Sequence, residues 1–536
     1  MKKQVLSVWV FCSALGIAQA QTDVTKEYLV NPSFETLKAA DGATDVTVKT
    51  KLENGLYGWE ISRLGNNGNS TFQVESQESG SSSDFPGNGF IVPTEGTYYY
   101  FNSQTWMYGS NESVIKTQTS KPLEAGNYYL TIDYKAADYS NNNTDGNGTS
   151  LGLKVHKAGS EELLGENTAV RRAYSVINNN ASPNGDKYMQ DAPWDKMGVM
   201  FTITESSNID ITIAQTLKSR GRSDVAYDNL KLYKMDEISE SFPLDVSFLI
   251  SNANDYAFGG WKMEGGNTFQ INTWSTEGNT DGSNMTTPFI QDHVGKENKA
   301  ANAIISHTSN YLIPGIYEVS GLIRVLNEAG GAAPSGATLY ANEGSTDACA
   351  GTSCTNGVYG TYTVKGTVGT DGVLTFGIKV ANANFNWVSF KDFKLQYLGA
   401  ATTGQLKAIL KEKMTEAQAC VANCSKGIAA IVNAAITQGN NAQDTEESLN
   451  AAITALTQAI ALAEQAAPAT EAFKTLMATC QGYANHSSAE ESVKQAFQKA
   501  MTDAQAALDA ATTVEAIQEA IQPLQTACET YILNAA

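Results

Sequence analysis

The chain has little of what catalysis and nucleic-acid binding usually leave in a sequence. Its four histidines, His156, His293, His307 and His486, stand far apart, and no H-E-x-x-H pair occurs, which excludes the common zinc-hydrolase helix. No C-x-x-C pair occurs either, so a structural zinc site lacks its usual ligand spacing. Lys and Arg number 36 against 56 Asp and Glu, for a net charge of −20. Such a surface repels a phosphate backbone or an anionic bilayer, and nucleic acid is not expected as a partner. The basic knot "KSRGR" at Lys218–Arg222 reads as a solvated loop. Beyond the first twenty residues no apolar run is long enough to span a bilayer, so no membrane insertion is expected.

What is present begins with a leader. A basic start, the apolar run "VLSVWVFCSALG" and an Ala-Gln-Ala site before Gln21 predict a secretory signal over 1–20. Cys12 lies inside the apolar run with more of the leader behind it, which argues against a lipoprotein. The mature protein is therefore expected outside the cytoplasm: extracellular, at the cell surface or periplasmic. Of the 7 cysteines all but Cys12 remain after cleavage, an even number that permits disulfides. Cys349 and Cys354 bracket a Gly/Ser loop and are spaced to close it. Cys420, Cys424, Cys480 and Cys528 lie in helical sequence, where spacing fixes no pairing.

Composition changes sharply near Gly399. Before it, Gly, Asn, Thr and Tyr surround short alternating runs such as "YYLTIDYKA", "NIDITIAQ" and "YEVSGLIRV", the pattern of antiparallel sandwiches. After it the chain is Ala-rich, with apolar residues at threes and fours, clearest in "SLNAAITALTQAIALAEQA", the pattern of packed helices. About five helices are expected from Thr402 onward, with breaks at "TQGNN", "AAPAT", "NHSS" and "ATTVE".

The β region repeats itself. "YGWEISR" matches "GGWKMEG", "LEAGNYYLTIDYKAAD" matches "LIPGIYEVSGLIRVLNE", and "WDKMGVMFTITESSNIDITI" matches "YGTYTVKGTVGTDGVLTFGI". "DVAYDNLKLYKM" matches "VSFKDFKLQYLG", in the same order. Each half reads as one sandwich ending on its aromatic-Asp strand. The expected domains are 21–238, 239–399 and a helical bundle or stalk over 400–536.

"EYLVNPSFET", followed by Gly-Trp and closed by "AYDNLKLY", resembles the carbohydrate-binding modules of families four and nine. The second half, with "DGSNMTTPFIQDHV" before "YLIPGIYEVSGLIRV", is similar to modules in surface proteins of polysaccharide-degrading bacteria. The helical tail resembles small helical repeats beside such modules. The resemblance implies two antiparallel β-sandwich domains of jelly-roll, galactose-binding-like type followed by an all-α helical bundle. It also implies a polysaccharide or other glycan as ligand, and a structural calcium held by Glu35 and Asp228. The plainer reading of the same residues is that Glu35 caps a turn and Asp228 bonds loop amides. Asp392 is matched to Asp228 in the second half, where "FLISNAND" supplies no Glu.

Aromatic residues are the better lead to a site, because sugar rings stack their CH faces on Trp and Tyr. "GTYYYFNSQTWMYGSN" is the densest cluster. On a strand Tyr98 and Tyr100 face one way while Tyr99 and Phe101 face the other. One pair fills the core and the other needs a second apolar surface or a ligand. Trp106 and Tyr108, in loop-like sequence beyond, are the preferred stacking rings, with Tyr98 and Tyr100 beside them. Trp274 is the candidate in the second half. Trp59 and Trp261, at matching Gly-Trp positions, read as core, and Trp194, matched by Tyr359, as core or edge.

Two motifs are decoys. "NNNTDGNGTSLG" opens like a calcium loop but has Gly152 where the bidentate Glu belongs, so a hairpin turn is expected. "GTSLG" around Ser150 lacks the strand before and helix after that a nucleophile elbow needs. The leading expectation is a non-catalytic, exported glycan-binding protein. The alternative is a structural or adhesive protein that binds other cell-surface proteins or spaces them. A lyase or hydrolase on a jelly roll is the remote one, to be favoured by a cleft of converging acid and base groups.

Overall fold

The computed structural model describes residues 21–64, 69–77, 91–105, 111–138, 149–171, 194–217, 222–236, 238–250, 261–266, 269–272, 289–342, 344–350, 357–486 and 489–535. The first sandwich begins with β1 (Gln21–Asp23), the helical turn α1 (Thr25–Tyr28), β2 (Gly55–Leu56), β3 (Trp59–Leu64) and β4 (Asn69–Ser76). It continues through β5 (Tyr98–Thr105), β6 (Asn111–Gln118), β7 (Gly126–Asp138) and β8 (Thr149–Lys157). β9 (Leu163–Arg171), β10 (Asp195–Ile203), β11 (Ile209–Leu217) and β12 (Arg222–Met235) complete it. One sheet has the order β10-β7-β12-β5-β4 with β1 added to β12; the facing sheet runs β2-β3-β6-β11-β8-β9.

The second sandwich comprises β13 (Leu244–Asp245), β14 (Trp261–Gly265), β15 (Phe269–Asn272), β16 (Phe289–His293), β17 (Ala303–Ser309) and β18 (Gly315–Leu326). β19 (Ala337–Ala341), β20 (Gly344–Asp347), β21 (Gly360–Val368), β22 (Leu374–Val380) and β23 (Trp387–Tyr397) follow. Its sheets read β15-β16-β23-β18-β21, with β13 added to β23, and β14-β17-β22-β19-β20. Apart from β2, which has no counterpart in the second half, the strand orders of the two sandwiches correspond, so the repeat seen in the sequence is a repeat of topology.

Alternation explains the strands. Along β7, Tyr128, Leu130, Ile132 and Tyr134 enter the first core, while Tyr129, Thr131, Asp133 and Lys135 stand on the opposite face. Trp59 is buried against Phe34, ring centroids 5.0 Å apart, and donates its indole N–H to the Asn31 carbonyl at 3.0 Å. Trp261 occupies the matching place, packed on Phe393 at 5.0 Å and Phe390 at 6.0 Å. Both are core, as their shared position suggests.

The closing strands carry a bulge. Pairing of β12 with β7 shifts between Asp228 and Lys231, and pairing of β18 with β23 shifts between Ser320 and Leu322. The bulged residues are Asn229 at φ 56 and Asp392 at φ 53, both of types that tolerate left-handed backbone. Asp228 lies opposite Asp133, and Lys391 opposite Leu322. The structural counterpart of Asp228 is thus Lys391. The expected match with Asp392 is one residue out of step, because the shared Asp serves different positions in the two copies.

The two sandwiches belong to one compact unit, which runs to Ala400, while the helical region Ala401–Ala536 forms another. Tyr129 on the outer face of β7 stacks on Tyr233 at 4.6 Å and on Phe248 of the second half at 5.2 Å. Asn167 donates to both the Gly198 and the Phe248 carbonyls. Residue 198 has to be glycine here, since an added Cβ would meet the Phe248 ring at 2.4 Å.

Among the described residues the tail has five helices: α2 (Thr403–Val421), α3 (Lys426–Asn440), α4 (Glu446–His486), α5 (Glu491–Ala510) and α6 (Val514–Ala535). Thr402 and Gln405 form a capping box on α2, and the Ser425 side chain caps α3. The expected break at "AAPAT" is absent, because α4 runs through Pro468. Leu449, Ile453, Leu456 and Ile460 are buried along α4, and that packing outweighs the lost N–H. The break before α3 has no Pro or Gly to announce it. Among the described residues no helix is long and apolar enough to cross a membrane.

Candidate functional site

The outer face of the β10-β7-β12-β5-β4 sheet holds an unusual group of side chains. Tyr99 and Phe101 point away from the main core and pack with Ile91 and Ala226 in a separate small cluster, with half-buried Trp194 against it. The Trp194 and Tyr99 rings form a T-shaped pair with centroids 6.4 Å apart, and the Trp194 indole N–H donates to the Val92 carbonyl at 2.8 Å. Beside these rings on the same face lie Gln73, Glu75, Ser103, Lys135 and Asp224, all buried. The Tyr99 hydroxyl donates to Glu75 Oε2 at 2.8 Å, and the Gln73 amide donates to Oε1. The Ser103 hydroxyl donates to Asp224 Oδ1 at 2.6 Å. Burial raises the Glu75 carboxyl above its ordinary value, against the pull of its Tyr99 and Gln73 donors. Aromatic faces beside fixed polar groups, outside a hydrophobic core, are the elements of a sugar site.

Trp106, Tyr108 and Trp274 lie outside the described residues, as do Cys354 and most of the "NNNTDGNGTSLG" turn. Tyr100 is a correction. It is fully buried in the main core, 5.2 Å from Phe34 and 5.9 Å from Phe72, so its faces are unavailable to a ligand. Tyr98 is half-buried and packs on the same core. The parity argument is right and the assignment is reversed: Tyr98 and Tyr100 serve the core, Tyr99 and Phe101 the outer face. The alternation of Phe72 and Val74 into the core with Gln73 and Glu75 outward was a usable signal for the two polar residues. Ser150 lies on β8, in a strand and not a nucleophile elbow.

Glu35 and Asp228 grip one turn from two sides. Glu35 Oε1 accepts from the Thr97 and Tyr98 amides, each at 2.9 Å. Asp228 Oδ2 accepts from the Thr94 amide, the Thr94 hydroxyl and the Glu95 amide, and Oδ1 accepts from the Asn229 amide. Burial pushes the Asp228 carboxyl up to about 6 despite these donors. The donors do not fit a calcium ion, which would face protons where it needs lone pairs. No group of three or more His, Cys, Asp or Glu among the described residues stands ready to hold a metal. The plainer reading of the two carboxylates matches the geometry.

The facing sheet carries a different feature, a cleft of about 690 Å³ whose lining includes Glu60, Lys116, Gln118, His156, Asp210 and Thr212. Gln118 donates to Asp210 at 2.7 Å. The aromatic ring in its wall is Trp59, which is committed to the core. The cleft is polar and lacks a free stacking face among the described residues.

His307, buried in the second sandwich, lines a smaller cavity of about 240 Å³ with Ser309 and Leu249. It stacks on Phe376 at 5.2 Å, and burial pulls its pKa down to about 4. The unfolded chain therefore binds the proton more tightly, and stability is lost as pH falls from 6.5 towards 4. The expected loss from this group is about 3 kcal/mol. Urea unfolding at pH 7 and pH 4.5 of wild type and His307→Phe checks it: the variant should lose less stability on acidification, and an equal loss would refute the assignment.

No family model matches the chain, and no curated protein matches it. Among solved structures it is similar to TmCBM61 in complex with β-1,4-galactotriose, at 16% identity over 39% of this chain and 97% of that one, TM-score 0.23. A family 11 carbohydrate-binding module from Clostridium thermocellum, with a mixed-linked tetrasaccharide, matches at 10% identity over 35% and 96%, TM-score 0.20. A cyclase from Fischerella sp. TAU matches at 13% identity over 40% and 100%, TM-score 0.24. Each likeness covers two fifths of this chain or less, and none bears on what the chain binds.

Proposed function

We propose that this is an exported, non-catalytic glycan-binding protein whose ligand lies on the outer face of the β10-β7-β12-β5-β4 sheet. The observation that carries the reading is the juxtaposition there of Tyr99, Phe101 and Trp194 with Gln73, Glu75, Ser103 and Asp224. Trp194 is the only one of the three rings not fully buried, so it is the described ring that offers a face to a sugar. The buried amide, hydroxyl and carboxylate groups bond to one another and to Tyr99 beneath that ring and hold the face in shape. β5 leads directly toward Trp106 and Tyr108, which we keep as candidate rings of the same site.

The test is affinity electrophoresis of the mature protein through gels containing soluble plant, algal and host polysaccharides. One or more glycans should retard it, and Trp194→Ala should abolish most of the retardation, since base or sugar stacking on one aromatic contributes about 1–3 kcal/mol. Retardation lost only with Trp106→Ala moves the site to the segment that follows β5 in the chain. Retardation untouched by either variant moves it off this face. No retardation by any glycan favours a spacer or adhesive role instead.

A further inference from the structure

Among the described residues Cys420, Cys424, Cys480 and Cys528 carry free thiols, and Cys480 and Cys528 are neighbours. Cys480 closes a buried stripe on α4 that includes Phe473 and Met477, at spacings of four and three. Cys528 sits within a buried stripe on α6 with Ala520, Leu524 and Tyr531. The two helices pack on each other. Cys480 is 0% exposed and Cys528 6% exposed, and the two side chains are neighbours where the helices pack. Cys424 is engaged differently: its thiol donates to the Cys420 carbonyl at 3.2 Å. Two neighbouring thiols, both dry and on separate helices that pack together, are placed for a covalent link in a way that two apolar residues of similar size would not be.

We propose that Cys480 and Cys528 are a disulfide-forming pair that covalently joins α4 to α6 in the oxidised protein. The oxidant is the disulfide of a thiol–disulfide oxidoreductase. One cysteine, as thiolate, attacks that disulfide and forms a mixed disulfide; the second, as thiolate, displaces the enzyme. Two protons and two electrons leave the pair, one S–S bond forms in this chain, and the oxidoreductase departs as a dithiol. Burial pushes the Cys480 thiol up to about 12, so little thiolate exists once the helices have closed over it. Oxidation therefore belongs to assembly of the helical unit, and the finished bond is shielded from exchange. The inference rests on helix packing alone and is independent of the glycan reading.

The experiment uses the full mature chain, refolded with a thiol–disulfide oxidoreductase and oxidised glutathione, then alkylated, digested without reductant and examined by mass spectrometry. The expected product is one peptide pair linking Cys480 to Cys528 that disappears on reduction. Reductant should lower the melting temperature of the helical unit by roughly 5–15 °C. The double variant Cys480→Ala/Cys528→Ala should melt at the same temperature with and without reductant. Recovery of both peptides in alkylated, unlinked form after oxidative refolding overturns the proposal. So does either cysteine linked to Cys349, Cys354, Cys420 or Cys424. Should the double variant fail to fold, the peptide analysis of the wild type decides alone.

Discussion

Asp228→Ala should lower the stability of the two-sandwich unit by about 3 kcal/mol. The carboxylate is fully buried and holds the Thr94 amide and hydroxyl, the Glu95 amide and the Asn229 amide. Alanine leaves those donors facing a void, and an unsatisfied buried donor costs about 1–3 kcal/mol. Asp228→Asn keeps one acceptor and should cost less, and it separates the charge from the hydrogen bonds. With its pKa raised to about 6 from 3.8, the folded state holds the Asp228 proton more tightly than the unfolded chain does. Its contribution is full below pH 3.8 and is lost as pH rises through 6. The stability advantage of wild type over Asp228→Asn should therefore shrink between pH 4 and pH 7, by as much as about 3 kcal/mol. Urea titrations at both pH values measure this, and an advantage that is constant or grows would refute the protonation assignment.

The duplicated tryptophans give a second large effect with an internal control. Trp59→Ala and Trp261→Ala should each cost about 3–5 kcal/mol, the usual range for emptying a buried aromatic site. The phenylalanine replacements should differ. Trp59 donates its indole N–H to the Asn31 carbonyl, so Trp59→Phe loses that bond and leaves the carbonyl only the Phe34 amide. The Trp261 indole N–H is buried without a partner, so Trp261→Phe removes a desolvated donor and should cost about 1–2 kcal/mol less than Trp59→Phe. Equal costs, or the reverse order, would show that packing alone sets both values.

The sandwiches were legible because antiparallel strands with one face in a core write a period of two into the sequence, as β7 does with Tyr128, Leu130, Ile132 and Tyr134. Duplication made the reading stronger, since the Gly-Trp, Gly-x-Tyr and closing-strand matches all fall on equivalent strands. What sequence could not supply was parity at a bulge. The extra residue falls at equivalent places, Asn229 and Asp392, so the counterpart of Asp228 is Lys391, and matching the two strands on their Asp shifts one of them by a residue. Parity also named two pairs on β5 without saying which enters the core, because Tyr98 to Phe101 are all aromatic. The burial of the polar members of the outer face, Glu75 and Asp224 above all, was hidden for a different reason. Nothing in a single chain tells a buried carboxylate from an exposed one until its neighbours are in place. Among the helices, Pro468 reads as a stop and is not one, since the buried stripe of α4 continues past it to Phe473 and Met477.

The pairing of β1 bears on how the chain reaches its final form. Gln21 lies opposite Met235, and in the second sandwich Leu244 lies opposite Tyr397. Each sandwich thus begins with a short strand whose partner is its own last strand. A chain emerging in order from its amino end, from a ribosome or through a pore, cannot close either sheet until that last strand is out. Non-local pairing of this kind slows folding. Until then the opening segment lacks the strand it pairs with. The helical tail, built from neighbours in sequence, has no such delay.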